Sequence, residues 1–323
     1  MKYLRAFYIA SSDMYFIFLV FHILLDSIGV RSDFTHLNSD QRPLCPCGSN
    51  SSSIHSRVVG GHDAGKGQYP YASCLIDSSW RTARPAPFCG ATLITDSHVI
   101  TAAHCVKDRP PEVVLVDIGD YDFMDNRKLR LRKAKDIIRF PEYRPYSFRA
   151  DIAIIEFERP VQWASGVRAA WLPPPDLRLE AGTIVSVYGW GRLQYDGGHP
   201  RFLQSTELPV VENHICQHQF KTHIEPSMIC AGGQEGHDAC IGDSGSGLVV
   251  RLDNEFVLCG LVSFGRRCAL PRVPGVYTRI SSSIEWIYKN TLHSKCQPCI
   301  YNTQIVPMSN NNSVDMKTSI TSE

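Results

Sequence analysis

The chain has 323 residues, 43% of them hydrophobic and 20% charged, with a formal net charge of +1. This is the composition of an ordinary globular protein, and so small a net charge argues against nucleic acid or an acidic membrane surface as the main partner. Twelve cysteines are too many for a reducing compartment unless they bind metal. Metal fits their spacing poorly: Cys45-Pro-Cys47 is too short for a zinc finger, and the C-x2-C pair Cys296 and Cys299 has no second pair to complete it. Disulfides in an exported protein explain them better, and neither a metal nor a cofactor is expected.

Taken in chain order, Lys2 and Arg5 precede an apolar run from Met14 to Leu25, and the small residues Ser27 and Gly29 follow. That order reads as a signal peptide over residues 1–29, hence a secreted protein without a stable membrane span. A membrane anchor is the rival reading. Against it, the run holds twelve residues, is bounded by Asp13 and Asp26 and contains His22, whereas a spanning helix needs about 20 apolar residues. Residues 30–57 are polar and read as an extended propeptide. Asn50-Ser-Ser and Asn311-Asn-Ser are glycosylation sequons, with Asn50 and Asn311 as the acceptors.

From Val58 to about residue 292 short β-rich runs alternate with Gly, Pro and Asp clusters, as in Glu112-Val-Val-Leu-Val-Asp, Thr183-Ile-Val-Ser-Val-Tyr and Glu255-Phe-Val-Leu-Cys-Gly-Leu-Val. The pattern predicts an all-β domain, an antiparallel barrel or sandwich. One helix is expected near its end, where Ser281-Ser-Ser offers caps and Ile284, Ile287 and Tyr288 recur at helical spacing. Residues 293–323, rich in Asn and Ser beyond Cys299, read as a disordered tail.

Attack on a peptide carbonyl by a hydroxyl needs a base for its proton, a carboxylate to hold that base, and donors for the oxyanion. Gly242-Asp-Ser-Gly245 presents a serine in a glycine turn, Thr101-Ala-Ala-His104-Cys105 a histidine, and Asp151-Ile-Ala-Ile-Ile an acid leading an apolar strand. The order along the chain is His, Asp, Ser. The α/β-hydrolase elbow is Gly-x-Ser-x-Gly in a different order, which Gly242 to Ser246 does not fit.

These runs, with their order and gaps, resemble the trypsin/chymotrypsin family over Val58 to about Asn290. The resemblance implies two packed antiparallel β-barrels with a C-terminal helix. It implies Ser244 as nucleophile, His104 as general base and acid, and Asp151 as the group that orients His104. The amides of Gly242 and Ser244 would form the oxyanion hole, and Ser263 would border Asp151. Ser56-Arg57-Val58-Val-Gly-Gly61 matches a zymogen cleavage sequence; an activating protease would cut after Arg57, and the freed Val58 ammonium would pair with Asp243. Asp238 falls at the floor of the specificity pocket and Gly265 and Gly275 at its walls, so the substrates would be proteins or peptides with Arg or Lys before the scissile bond. Phe148 aligns with the wall of the adjacent subsite, and Phe264 replaces a usual tryptophan.

Three disulfides follow from the same alignment: Cys89 with Cys105, Cys216 with Cys230, and Cys240 with Cys268. Cys45, Cys47, Cys74, Cys259, Cys296 and Cys299 are left with fifteen possible connectivities. Trp171 stands where relatives with a tethered propeptide have its partner cysteine, so a tether here would use another. Gly245-Ser246-Gly247 departs from the usual Gly-Gly-Pro after the nucleophile. Asp120, Asp122 and Asp125 could suggest a calcium loop, but Arg127, Lys128 and Arg130 follow at once and would repel the ion. The leading reading is a secreted serine endopeptidase, with protein protease inhibitors among its expected partners. The alternatives are a non-catalytic homologue that binds partners in a proteolytic cascade, and an esterase, which Asp238 disfavours.

Overall fold

The computed structural model describes residues 40–48, 61–80, 86–123, 130–163, 166–192, 198–234, 242–266 and 271–302. Asp40 and Gln41 fall in a unit separate from Arg42–Glu323, which holds every element described below. The β-branched and aromatic runs become strands. In the first half these are β1 (His62–Asp63), β2 (Ala72–Asp77), β3 (Cys89–Leu93), β4 (His98–Thr101), β5 (Val114–Ile118), β6 (Arg132–Arg139) and β7 (Ala153–Phe157). In the second half they are β8 (Trp171–Leu172), β9 (Ile184–Gly189), β10 (Gln204–Val211), β11 (Met228–Gly232), β12 (Gly247–Leu252), β13 (Glu255–Phe264), β14 (Pro274–Arg279) and β15 (Cys299–Ile300). Along β5 buried and half-buried residues alternate, the signature of a wall with one face to the core.

β2, β3, β4, β7, β6 and β5 close into one barrel. β12, β9, β10, β11, β14 and β13 run in order as neighbours, and pairing of β12 with β13 closes a second. The architecture is therefore all-β, two six-stranded antiparallel barrels of the chymotrypsin type. Closure leaves neither barrel an exposed edge. Aromatic rings join the two: Tyr69 stacks on Tyr188 of β9 at 4.7 Å between centroids, and the Tyr188 hydroxyl lies 2.7 Å from the Thr92 hydroxyl of β3.

Among the described residues three short α-helices complete the frame: α1 (Ala103–Val106), α2 (Asn213–Gln217) and α3 (Ile284–Lys289). The serines expected to cap the last helix instead form a 3-10 turn over Ile280–Ser283, and Ser283 makes no side-chain cap bond. Ser281 and Ser283 are buried under the second barrel, so packing rather than capping sets the start of α3.

The chain ends differ more from the sequence reading. Residues 42–48, expected within an extended propeptide, are packed, and so are residues 293–302, expected within a disordered tail. Cys45 is bonded to Cys296 and Cys47 to Cys299, and all four sulfurs sit in one cluster with Ala169, Trp163 and Trp171. The Arg42 guanidinium donates to the Thr291 and Ser294 carbonyls, and the Gln297 amide donates back to the Arg42 carbonyl. β15 then adds to β8 in parallel, with Cys299 opposite Trp171. These two polar segments order each other because bonds spanning 251 and 252 residues of sequence offset the entropy of fixing them.

Candidate active site

The site lies where the barrels meet. Thr101 of β4 pairs with Ala153 of β7, so the residues that follow β4 and precede β7 emerge side by side. His104, on the single turn of α1, therefore faces Asp151. Its Nδ1 lies 2.7 Å from Asp151 Oδ2, and its backbone N–H donates to Asp151 Oδ1 at 2.8 Å. The Asp151 side chain has no exposed surface, whereas that of His104 is 21% exposed.

A buried carboxylate must have its oxygens filled. The second barrel completes this one. β13 carries a bulge between Val262 and Phe264 that leaves Ser263 without a strand partner, and the Ser263 hydroxyl donates to Asp151 Oδ2 at 2.5 Å. Thr278 of β14 donates to the Asp151 carbonyl at 2.9 Å. An ionised carboxylate only accepts, so His104 Nδ1 carries a proton and Nε2 is left to accept one.

Ser244 reaches the same seam. Its carbonyl accepts the Gly90 amide of β3 at 2.8 Å, and the Gly245 amide donates to Val262. Gly245 has φ +81° and is pressed against Thr101 and the Gly90 carbonyl, so a side chain there would be both strained and blocked. The disulfide joining Cys89 to Cys105 lies between base and serine: the Cys105 sulfur is 3.8 Å from His104 Nε2 and 3.6 Å from the Ser244 carbonyl oxygen.

Gly242 has φ +96°, and a Cβ there would crowd His199, whose Nδ1 lies 2.7 Å from the Trp190 carbonyl. The Asp243 carboxylate accepts the Gly191 amide at 2.8 Å and is packed so closely on Gly189 and Gly191 that a Cβ on either would collide with it. Ser246 is buried against Gly90 and Gly189, and Gly247 against the Tyr188 hydroxyl, so the unusual Ser-Gly step fills a tight seam. Phe148, in the left-handed region at φ +54°, sets its ring edge-on to His104 at 5.6 Å and 5.0 Å from Phe264, which in turn meets Phe220 at 5.5 Å. Gly265 faces open space and Gly275 is buried in β14 opposite Ala231.

The structure bonds Cys216 to Cys230. Cys74 and Cys259 are free thiols, and burial pushes both pKa values up, Cys259 to about 12. They lie in different core clusters, which is why an even count of six did not become three bonds. Of the suggested calcium loop, Asp122 holds Arg201 in a two-pronged ion pair at 2.8 Å. Arg57, Val58, Asp238, Cys240, Cys268, Asn50 and Asn311 lie outside the described residues, as do residues 1–29. Among the described residues no helix is long and apolar enough to cross a membrane. Gly90, Gly189, Gly191, His199 and Thr278 were not singled out from the sequence, where no local motif marks them.

Residues 58–287 match the family model described as Trypsin. The chain belongs to the trypsin family. Among curated relatives of this trypsin-family chain, serine protease filzig of Drosophila melanogaster is 36% identical over 255 residues, covering 76% of this chain and 15% of that protein. Transmembrane protease serine 11C of Mus musculus is 34% identical over 277 residues, covering 83% of the chain and 62% of that protein. Suppressor of tumorigenicity 14 protein homolog of Bos taurus is 34% identical over 251 residues, covering 75% and 29%. The chain thus spans between 15% and 62% of the lengths of these relatives. Its matched region is a serine-protease domain.

Proposed function

We propose that the chain is the zymogen of a secreted serine endopeptidase that cuts protein substrates after Arg or Lys. The observation that carries this reading is the Asp151 carboxylate, shut away from water and shared between His104 and Ser263, which leaves His104 with a basic Nε2 beside the Ser244 turn. Ser244 Oγ attacks the carbonyl carbon as its proton passes to Nε2. The imidazolium, steadied by Asp151, then gives that proton to the leaving amine. Water repeats the sequence to release the acyl group. The amides of Gly242 and Ser244 receive the oxyanion, a task that the left-handed Gly242 backbone suits.

Asp238, which the family resemblance assigns to the pocket floor, selects a cationic side chain, and Gly265, facing open space, leaves the wall clear for one. Phe148, edge-on to His104, narrows the neighbouring subsite and favours a small residue there. Cleavage after Arg57 frees Val58, whose ammonium compensates Asp243; the crowding of Asp243 by Gly189 and Gly191 shows how little room that carboxylate has. An exported protein agrees with the disulfides, and an activating protease and protein inhibitors complete the set of partners.

The test uses protein processed to begin at Val58. It should hydrolyse an arginyl reporter, prefer it to a neutral one, and label with a fluorophosphonate; Ser244→Ala should lose all three while keeping its melting temperature. Turnover equal to wild type in Ser244→Ala would overturn the reading.

A further inference from the structure

The strand pair that ends on the active site also leads away from it. β4 and β7 carry His104 and Asp151 at one end; at the other, His98 pairs with Glu156, and Asp96 and residues 158–163 follow. The seven residue-to-residue steps from Asp151 to Glu158, at about 3.3 Å each, set the two ends on the order of 20 Å apart. At the far end lies a groove with a volume of about 1300 Å³.

Its walls come from both chain ends and from the first barrel. Leu44, 52% exposed, stands on the N-terminal segment, and Leu131, 37% exposed, on the approach to β6, and Trp163 lines the groove with them. Four cations line the same groove: Arg132, Lys133, Arg159 and Lys295. Two acids oppose them. One, Asp96, is 3% exposed and turned inward, accepting the Ser97 hydroxyl and the Lys295 amide, so Glu158 is the exposed acid among the lining residues. The groove therefore offers apolar contact under an excess of positive charge.

We propose that this groove is a docking site for an acidic segment, carrying leucine or phenylalanine, of the protein substrates that the active site cuts. The proposal rests on the endopeptidase reading. Opposite charge guides such a segment in, and the exposed leucines and Trp163 hold its apolar side chains. A cut after Arg57 does not dismantle the groove, because Cys45–Cys296 and Cys47–Cys299 keep the N-terminal wall bonded to the catalytic domain. A substrate held there presents its scissile bond at a raised effective concentration, so docking acts on KM for large substrates and leaves small ones unchanged.

The experiment uses full-length chain processed after Arg57. A fluorescein-labelled peptide alternating Glu and Leu, which lacks any basic residue and cannot be cut, is titrated by anisotropy against wild type and against the double variant Lys133→Glu/Arg159→Glu. Wild type should bind it at least tenfold more tightly than the variant, and at least tenfold more tightly than a peptide alternating Ser and Leu. Leu44→Asp, at an exposed position that threatens no core contact, should also weaken binding. Two protein substrates with one arginyl site, differing only in a linked Glu/Leu segment, should differ severalfold in KM with wild type and not with the double variant. Hydrolysis of the small arginyl reporter should be equal in all of these proteins. Equal peptide binding by wild type and double variant overturns the proposal, as does binding of heparin without binding of the acidic peptide. Loss of reporter hydrolysis by wild type would instead overturn the endopeptidase reading, so the two failures are told apart.

Discussion

Asp151 and Asp117 are both carboxylates set into the wall of the first barrel, yet their surroundings treat them in opposite ways. Asp151, at the seam, accepts a backbone amide, a hydroxyl and an imidazole N–H. Asp117 of β5 sits opposite Cys74 of β2, and among the described residues its buried Oδ1 has no hydrogen-bond partner. Burial, with the Asp120 charge adding to it, pushes the Asp117 carboxyl up to about 7. The lesson is that burial beside a like charge, with few donors, pushes a carboxylate toward its neutral form, and that a charged acid in a dry site has to be supplied with donors. The second barrel supplies the hydroxyl to Asp151 through the β13 bulge.

The largest expected effect breaks the contrast at its ordered end. Asp151→Asn keeps the volume but brings an NH2 group to a site that needs an acceptor, so the imidazole is driven toward the wrong tautomer. A loss in kcat on the order of ten-thousandfold is expected, with the fold retained by circular dichroism. If Asp151→Asn kept wild-type turnover, the arrangement of donors would be packing without catalytic consequence.

The donor-poor end of the contrast is read through stability against pH. Asp117 binds its proton more tightly when folded, so its contribution is present below about pH 4 and is lost as pH rises through about 7. The difference amounts to on the order of 4 kcal/mol. His98 works in the other direction. It is 1% exposed, it keeps its ring nitrogen 2.8 Å from the Thr95 hydroxyl, and burial lowers its pKa to about 4. The unfolded chain therefore takes up a proton on His98 between pH 6.5 and about 4 that the folded chain refuses, and stability is lost as pH falls through that window, by about 3 kcal/mol. Between pH 4 and 6.5 the two slopes oppose each other. Urea melts of Asp117→Asn should gain stability relative to wild type as pH rises from 4 to 8. Those of His98→Asn should gain it as pH falls from 7 to 4. Parallel pH profiles for all three proteins would show that neither group titrates on unfolding.

The seam was more legible in the sequence than the chain ends. His104, Asp151 and Ser244 each stand in a short run whose residue types have a chemical reason, and the strand pairing of Thr101 with Ala153 needs no more than two apolar runs to bring two of them together. Strands could be read from their β-rich runs, but the sequence could not choose between a barrel and a sandwich, because closure depends on pairings between strands far apart, such as β9 with β12. Ser263 was reached only through resemblance, since nothing in Val262-Ser-Phe-Gly265 announces a bulge. Thr278 has no local signature at all. The bonds of Cys45 and Cys47 were invisible for a combinatorial reason: six cysteines permit fifteen pairings, and the contacts that select these two are made across about 250 residues. Once those bonds form, the polar composition that suggested an extended propeptide and a disordered tail no longer decides the state of residues 42–48 and 293–302.

The smallest effect tests whether the number of donors, rather than burial, separates Asp151 from Asp117. Ser263→Ala removes one hydroxyl from the carboxylate and leaves the His104 bonds and the strand pairing as they are. A hydrogen bond to a charged group contributes about 1.5–3 kcal/mol, of which only the part that differs between ground and transition state reaches kcat. A fall in kcat of roughly tenfold with KM unchanged is therefore expected. Ser263→Thr should restore part of the rate, because it returns a hydroxyl to the bulge at the cost of one methyl group. If Ser263→Ala and Ser263→Thr lost activity equally, the position would matter for its shape. The contrast between the two acids would then have to rest on the His104 bonds alone.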